Sequence, residues 1–158
     1  MSEEYRPAKL FTVEQANAAL PLVRSIVADI VSFHTDLHER HDRLQAVKRR
    51  NSASRGSMPP EYNEELTQME NDLHRDAEKL QGYIAELQAL GVELKDLGKG
   101  LVDFPGLIEG REVCLCWMLG ESEVAFWHEI DAGFMGRQSL MAGTSPASPD
   151  DNIDPTAI

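Results

Sequence analysis

Two stretches of regularly spaced apolar residues constrain the fold of this chain more than any other feature of its sequence. Both advance in alternating steps of three and four residues, which places one stripe of side chains along a helix and is typical of coiled coils. The first stripe consists of Leu20, Val23, Val27, Ile30, His34, Leu37, His41 and Leu44. The second consists of Tyr62, Leu66, Met69, Leu73, Asp76, Leu80, Tyr83, Leu87 and Leu90. Two long helices are therefore expected.

Local signals indicate where these two helices begin and end. Residues 12–15 have the sequence TVEQ, a capping box, so the first helix should begin at about Val13. The polar, breaker-rich segment 49–60 predicts the loop between the helices. Pro60 suits the first turn of the second helix, and Gly91 suits its end.

An antiparallel pairing of the two helices, centred in the predicted loop, aligns the two stripes. It places Leu44 opposite Leu66 and His34 opposite Asp76. At ~1.5 Å per residue the first helix would be roughly 50 Å long, which is more than a compact domain of this size needs. Part of the hairpin is therefore expected to project or to pack on a second subunit, which favours a homodimer.

The second half of the chain has the alternation of apolar and polar residues that is typical of strands. Strands are predicted at 92–97, 101–104, 112–119 and 123–130, the second of them ending at Pro105. A symmetric hairpin between the last two places Trp117 opposite Phe126 and Leu115 opposite His128, which separates His128 from both cysteines. The predicted fold is α+β, a long antiparallel, coiled-coil-like helical hairpin packed with a three- to four-stranded antiparallel sheet.

The predicted domain organisation is one domain over residues 1–140, with the helical hairpin at 12–90 and the sheet and a loop at 91–140. Residues 141–158 are rich in Pro, Ser and Asp, and we expect a disordered or loosely docked tail there. The net charge of −12 disfavours binding to nucleic acid or to an acidic membrane. Two cysteines, no signal peptide and no apolar run long enough to span a bilayer predict a cytoplasmic protein.

Three residues are the candidates for chemistry. His128 could act in acid–base catalysis with Asp103 as its carboxylate partner, although a hydrogen-bonded core histidine explains the same pattern. Arg137 follows a glycine-containing loop and could bind a carboxylate or a phosphate, or could form a salt bridge to Glu129 or Asp131. Candidate ligand-binding residues near them are Trp117, Trp127, Glu129 and Phe134.

Two groups of residues are weaker candidates for metal ligands. His34, His38 and His41 share a face of the first helix, with His74 on the second helix, and imidazoles at this spacing can share a metal. The favoured explanation is structural, with one His–Asp layer that sets the register and other histidines exposed on a polar face. Cys114 and Cys116 could bind a soft metal or could be small buried hydrophobes. The sequence contains no motif for an organic cofactor.

Several segments together resemble one known family. These are FTVEQANAALPLV near the start, GLVDFP, VCLCWMLGE and WHEIDAGFMGR. They are similar to an uncharacterised bacterial family known as domain of unknown function 2203, over roughly residues 10–140. The resemblance implies a small soluble bacterial protein without an established activity, and it transfers no catalytic residue.

Three functional hypotheses follow from the sequence. The first is a non-catalytic, dimeric accessory module that binds a protein partner or a second copy. The second is a protein or enzyme that binds a small ligand or a metal near Asp103, His128 and Arg137. The third is contact with nucleic acid through the basic tip of the hairpin, at Arg49 and Arg50. The sequence favours a protein that is not an enzyme.

Overall fold

The computed structural model describes residues 9–54 and 60–140 and confirms the α+β fold. Two helices, α1 (Val13–Ser54) and α2 (Pro60–Ala89), precede a sheet of five antiparallel strands in chain order. The strands are β1 (Glu93–Asp96), β2 (Leu101–Ile108), β3 (Arg111–Met118), β4 (Phe126–His128) and β5 (Gln138–Ser139). The prediction of three to four strands omitted β5, which at two residues is too short to show alternation. The predicted tail, 141–158, lies outside the described residues.

The capping box at the start of α1 is confirmed. The backbone N–H of Thr12 donates to Oε1 of Gln15 (3.0 Å), and the backbone N–H of Gln15 donates to Oγ1 of Thr12 (3.1 Å). The predicted loop from residue 49 is wrong at its start, because α1 continues to Ser54. Residues 49–54 are mostly polar but contain neither glycine nor proline, so nothing in them stops a helix that is already formed.

The two helices pair as an antiparallel hairpin, but in a different register from the predicted one. Asp76 forms an ion pair with Arg40 (2.8 Å) instead of lying opposite His34, a shift of about one heptad. The ring contact between Phe33 and Tyr83, with centroids 5.8 Å apart, shows the same shift. Two stripes with a heptad repeat line up equally well after a shift of seven residues, so the position of the turn between the helices decides their register. The extension of α1 moved that turn.

The hairpin and one face of the sheet share a single core. Val27 and Ile30 of α1 are fully buried in one cluster with Phe104, Leu115 and Trp117 of the sheet. Within the described residues α1 is the one helix whose length and composition would also allow it to cross a membrane, which the sequence analysis did not expect. The buried residues of α1 pack in the core with the sheet, and 28% of the apolar window is buried in this way.

β2 continues through Pro105 and Gly106 to Ile108, so the prediction that it ends at residue 104 is wrong. The start of the chain lies beside this part of the strand. The N–H of Phe11 donates to the carbonyl of Pro105 (2.7 Å), and the N–H of Leu107 donates to the carbonyl of Phe11 (2.9 Å). A Cβ on Gly106 would lie 2.7 Å from Cγ of Leu115, so only glycine fits there without displacing that side chain.

Candidate functional site

The pairing of β3 with β4 differs by one residue from the predicted hairpin. Cys114 lies opposite His128, and Cys116 lies opposite Phe126. Because successive side chains on a strand point to opposite faces, this one-residue difference moves His128 to the face that carries both cysteines. The predicted separation of His128 from the cysteines is therefore wrong.

The segment between β3 and β4 is held by α1, which explains this register. The side-chain amide of Asn17 bonds both backbone groups of Val124, accepting from its N–H (2.7 Å) and donating to its carbonyl (3.3 Å). Arg24 donates to the carbonyl of Ser122 (2.9 Å). The connection is therefore positioned by the helix and is not the symmetric turn that the sequence suggested.

Asp103 and His128 form a buried pair on the outer face of the sheet, the face opposite the helices. Their exposed fractions are 3% and 2%. Nε2 of His128 lies 3.1 Å from each carboxylate oxygen of Asp103. Nδ1 of His128 lies 2.7 Å from the carbonyl oxygen of Glu129, which can only accept, so Nδ1 carries a proton. The predicted partnership of Asp103 with His128 is confirmed, and the ring is fixed at both nitrogens.

Cys114 completes a group that we call the Asp-Cys-His cluster, formed by Asp103, Cys114 and His128. One ligand atom from each residue, the cysteine Sγ included, lies within 4.8 Å of the others. Burial and the nearby Asp103 carboxylate raise the pKa of the Cys114 thiol to about 12. The free thiol is therefore protonated near neutral pH and is not poised as a nucleophile.

Cys116 is next to the Asp-Cys-His cluster but does not belong to it. Its side chain is completely buried, and burial raises the pKa of its thiol to about 11. For this residue the prediction of a small buried hydrophobe is confirmed. Cys114 is half-buried and remains accessible from one side.

Arg137 forms its hydrogen bonds with groups outside the Asp-Cys-His cluster. Its guanidinium donates to both carboxylate oxygens of Glu121 (2.7 and 2.9 Å) and lies over the rings of Phe126 (4.0 Å) and Phe134 (4.8 Å). Although burial opposes it, the hydrogen bonds from Arg137 keep the pKa of Glu121 below its ordinary value. Arg137 therefore anchors the loop after β4.

The predicted salt-bridge partners of Arg137 are wrong, because Glu129 instead binds Arg111, at 2.6 and 2.7 Å. The two tryptophans lie on the other face of the sheet, in the core. Trp117 is completely buried and donates from Nε1 to the carbonyl of Glu121 (3.0 Å). Among the predicted ligand-binding residues, Glu129 contacts the Asp-Cys-His cluster through its carbonyl group.

Three histidines of the hairpin, His38, His41 and His74, are exposed, and His34 is partly buried. His38, 3.6 Å from Asp42, and His74, 3.5 Å from Glu78, both have mostly exposed side chains. The rings of His34 and His38 are 6.3 Å apart between centroids. Within residues 9–54 and 60–140, the Asp-Cys-His cluster is the only group of three potential ligands with this proximity. The structure does not bring the hairpin histidines together in that way.

The predicted basic tip lies near the end of α1. Arg49 and Arg50 are exposed there. Their neighbour Lys48 forms an ion pair with Glu70 of α2, and Arg40 bonds both Asp36 and Asp76. Part of the basic charge is therefore neutralised within the hairpin. Arg55, which the sequence also places at the tip, lies outside the described residues.

A cavity of about 790 Å³ opens beside the Asp-Cys-His cluster. Its walls come from the start of the chain at Lys9, from β1 at Glu93 and Lys95, and from β3 at Cys114. It lies at the edge of β2, between the segment that carries Phe11 and the paired strand β1. We call it the open-edge cavity, and Cys114 joins it to the cluster.

The sequence model of one family, described as an uncharacterised conserved protein (DUF2203), matches residues 9–140 of this chain. The chain belongs to the DUF2203 family. The match covers both helices and all five strands, and therefore the open-edge cavity and the Asp-Cys-His cluster. Searches with this DUF2203 chain found no matching curated protein and no matching solved structure.

Proposed function

We propose that this DUF2203 protein binds a small ligand in the open-edge cavity. The observation that carries the proposal is the cavity itself, about 790 Å³ in volume, which reaches Cys114 of the Asp-Cys-His cluster. Ligand pockets in proteins usually have volumes of about 300–1,000 Å³ and are mainly apolar with a few polar groups. The cavity has that size and that kind of lining.

The chemistry of the walls indicates the class of ligand. Charged side chains of both signs stand around the cavity, namely Lys9, Glu112 and the ion pair of Lys95 with Glu93 (3.3 Å). Between them lie the apolar residues Leu10, Val92, Leu94, Pro105 and Val113. This combination suits a small molecule with an apolar body and charged or polar ends, because each part would meet a complementary wall.

A fluorescent probe tests the cavity without knowledge of the natural ligand. We expect anilinonaphthalene sulfonate to bind to one site per chain, and the change Ile130→Trp to weaken binding about tenfold or more. Ile130 lines the cavity and is 63% exposed, so the larger ring would fill space without disturbing the core. Leu22→Trp is the matched control, because Leu22 is similarly exposed (55%) but lies on α1 and does not line the cavity. Equal weakening by both changes, or no saturable binding, would contradict the proposal.

A second proposal keeps the prediction of a dimeric accessory protein. It is supported by three exposed apolar residues on one loop, Ile130 (63%), Phe134 (37%) and Met135 (93%). A second copy is the occupant we propose, since identical apolar loops can pack on each other across a two-fold axis. Light scattering at micromolar concentration tests it. A dimer that Met135→Asp converts to monomer is expected, and a monomeric wild-type protein would contradict the proposal.

We also propose that the protein works in the cytoplasm. Both cysteines are free thiols, as expected in a reducing compartment, and the apolar face of α1 is used within the fold. Cell fractionation checks the location. Recovery of the full-length protein in the membrane fraction after a high-salt wash would contradict it.

A further inference from the structure

We infer that the Asp-Cys-His cluster is a binding site for one borderline divalent metal ion, of the Zn²⁺ type. This goes beyond the proposed ligand cavity, because the three residues can hold an ion whether or not a ligand occupies that cavity. The inference rests on the placement of the three side chains, on the hydrogen bond that orients the ring of His128, and on the balance of charge in a buried position.

His128 is oriented as a metal-binding histidine is. Its Nδ1–H donates to the carbonyl of Glu129 (2.7 Å), which leaves the lone pair of Nε2 as the donor toward the cluster in the neutral ring. Metal-binding histidines nearly always donate their second N–H in this way, because the bond fixes both tautomer and orientation. In the neutral ring this lone pair faces two carboxylate oxygens of Asp103, both at 3.1 Å. The Nε2 lone pair and the carboxylate oxygens repel each other unless a positive charge lies between them. Either a cation or a shared proton therefore has to occupy that position.

The spacing of the three ligand atoms fits a small ion after a minor adjustment. Tetrahedral Zn²⁺ holds nitrogen and oxygen at about 2.0–2.2 Å and sulfur at about 2.3 Å, so its ligand atoms lie about 3.3–3.6 Å apart. Nε2 of His128 is 3.1 Å from the Asp103 oxygens, and Sγ of Cys114 is within 4.8 Å of both groups. Small side-chain rotations would close this triangle on an ion. The backbone positions are fixed by the pairing of β3 with β2 and β4.

The charge of the cluster matches a divalent ion. Asp103 is buried, and the Cys114 thiol becomes a thiolate when it coordinates a metal. One carboxylate and one thiolate then balance two positive charges, with His128 neutral. A neutral buried group costs far less than the isolated charges would. Nitrogen, sulfur and oxygen ligands together favour Zn²⁺ and its borderline neighbours over Mg²⁺ or Ca²⁺, which prefer oxygen ligands alone.

The fourth coordination position would be reached through the open-edge cavity. Cys114 is the member of the cluster that lines this cavity, whereas Asp103 and His128 are almost completely buried. Three protein ligands with one position left for water or a ligand is the arrangement of catalytic zinc sites, whereas structural sites use four protein ligands. The proposed site therefore has an open coordination position at which a small ligand could exchange with water.

Cobalt tests the inference directly, because Co²⁺ replaces Zn²⁺ in such sites and a thiolate ligand gives it a charge-transfer band in the near ultraviolet. The full chain, freed of metal with a chelator, is titrated with Co²⁺. We expect one ion per chain, a thiolate-to-cobalt band, and displacement of the cobalt by Zn²⁺. Cys114→Ser should abolish the band and weaken metal binding by at least about 100-fold, since even outer-shell changes cost about 10–100-fold. Cys116→Ser, two residues away on the same strand, is the matched control and should retain the band.

Three results would overturn the inference: less than one ion per chain, a band that survives in Cys114→Ser, or a band that Cys116→Ser removes equally. A second measurement covers a variant that does not fold. In the wild-type protein Zn²⁺ should lower the rate at which N-ethylmaleimide alkylates Cys114 below the slow rate of the metal-free protein, as followed by mass spectrometry over a long time course. Equal rates with and without Zn²⁺ would also overturn the inference. The outcome is separable from the proposed ligand cavity. Probe binding without metal binding would remove the metal site alone, and metal binding without probe binding would remove the ligand proposal alone.

Discussion

Cys114 of β3 lies directly opposite His128 of β4, and the two side chains emerge on the same face of the sheet. Asp103 reaches the same point from β2, where it pairs with Cys116. Three adjacent strands thus each contribute one polar group to a buried position. A polar side chain is costly to bury without a partner, so the three side chains stabilise each other. Removing one of them should therefore lower the stability of the protein.

Loss of the His128 side chain should destabilise the metal-free protein strongly. His128→Ala leaves the Asp103 carboxylate buried without its partner, and breaking a buried pair costs about 3–5 kcal/mol in the free energy of unfolding. Urea denaturation of the wild-type protein and the variant measures this loss in the free energy of unfolding. Arg111→Ala is the control, because it breaks an exposed ion pair with Glu129 and should cost no more than about 1 kcal/mol. Similar costs for the two changes would show that the buried pair contributes little.

The ion pair between Glu121 and Arg137 should make stability depend on pH in the acid range. The folded-state pKa of Glu121 lies below its ordinary value of 4.5, so the stabilisation is fully present above pH 4.5. It is lost as the pH falls through the lowered pKa. The difference in free energy of unfolding between wild type and Glu121→Gln should therefore shrink below pH 4.5. A difference that stays constant down to the acid transition would contradict this, and Glu64→Gln on α2 serves as the control variant.

Two glycines should respond in opposite directions to alanine. Gly100 has φ +69°, and a Cβ there would lie 2.8 Å from Cβ of Leu119 and 3.0 Å from Val27, so Gly100→Ala should cost more than about 1 kcal/mol. Gly82 lies within α2 with nothing within 4 Å of its Cβ position. Gly82→Ala should therefore stabilise the protein by about 0.5–1 kcal/mol. Thermal unfolding of both variants checks this, and a shift of the same sign in both would be evidence against it.

The thiols of the metal-free protein should react slowly with alkylating reagents. Because burial raises its pKa to about 12, the Cys114 thiol is almost entirely protonated at pH 8. Cys116 is completely buried and should react still more slowly, after local opening of the sheet. Mass spectrometry of a time course with iodoacetamide distinguishes the two residues. Labelling of Cys116 before Cys114, or at the rate of a free cysteine, would contradict this order.

The parts of the fold that were predictable from sequence are those fixed by local chemistry. The capping box at Thr12 and the helix beginning at Val13 depend on neighbouring residues, and the structure has both. The apolar stripes predicted a helical hairpin but not its register. A stripe with a seven-residue period fits equally well after a shift of one period, and the end of α1 at Ser54 was needed to choose.

The Asp-Cys-His cluster was missed for a related reason. Asp103 and His128 were predicted as a pair, but Cys114 was assigned to the other face, since a symmetric turn between β3 and β4 was assumed. The actual turn is set by Asn17 and Arg24 of α1, about a hundred positions away in sequence. No pattern within the hairpin itself reports such a contact, because strand alternation is compatible with either register.

The pairing of Phe11 with β2 joins the beginning of the described chain to the second strand of its sheet. One side of the open-edge cavity is therefore made by residues that are synthesised before either helix, and the opposite side by strands that come after both. The complete cavity therefore requires that these two stretches are packed together. Ligand occupancy would in turn tie these two distant stretches together, so any binding there would report the integrity of the entire domain.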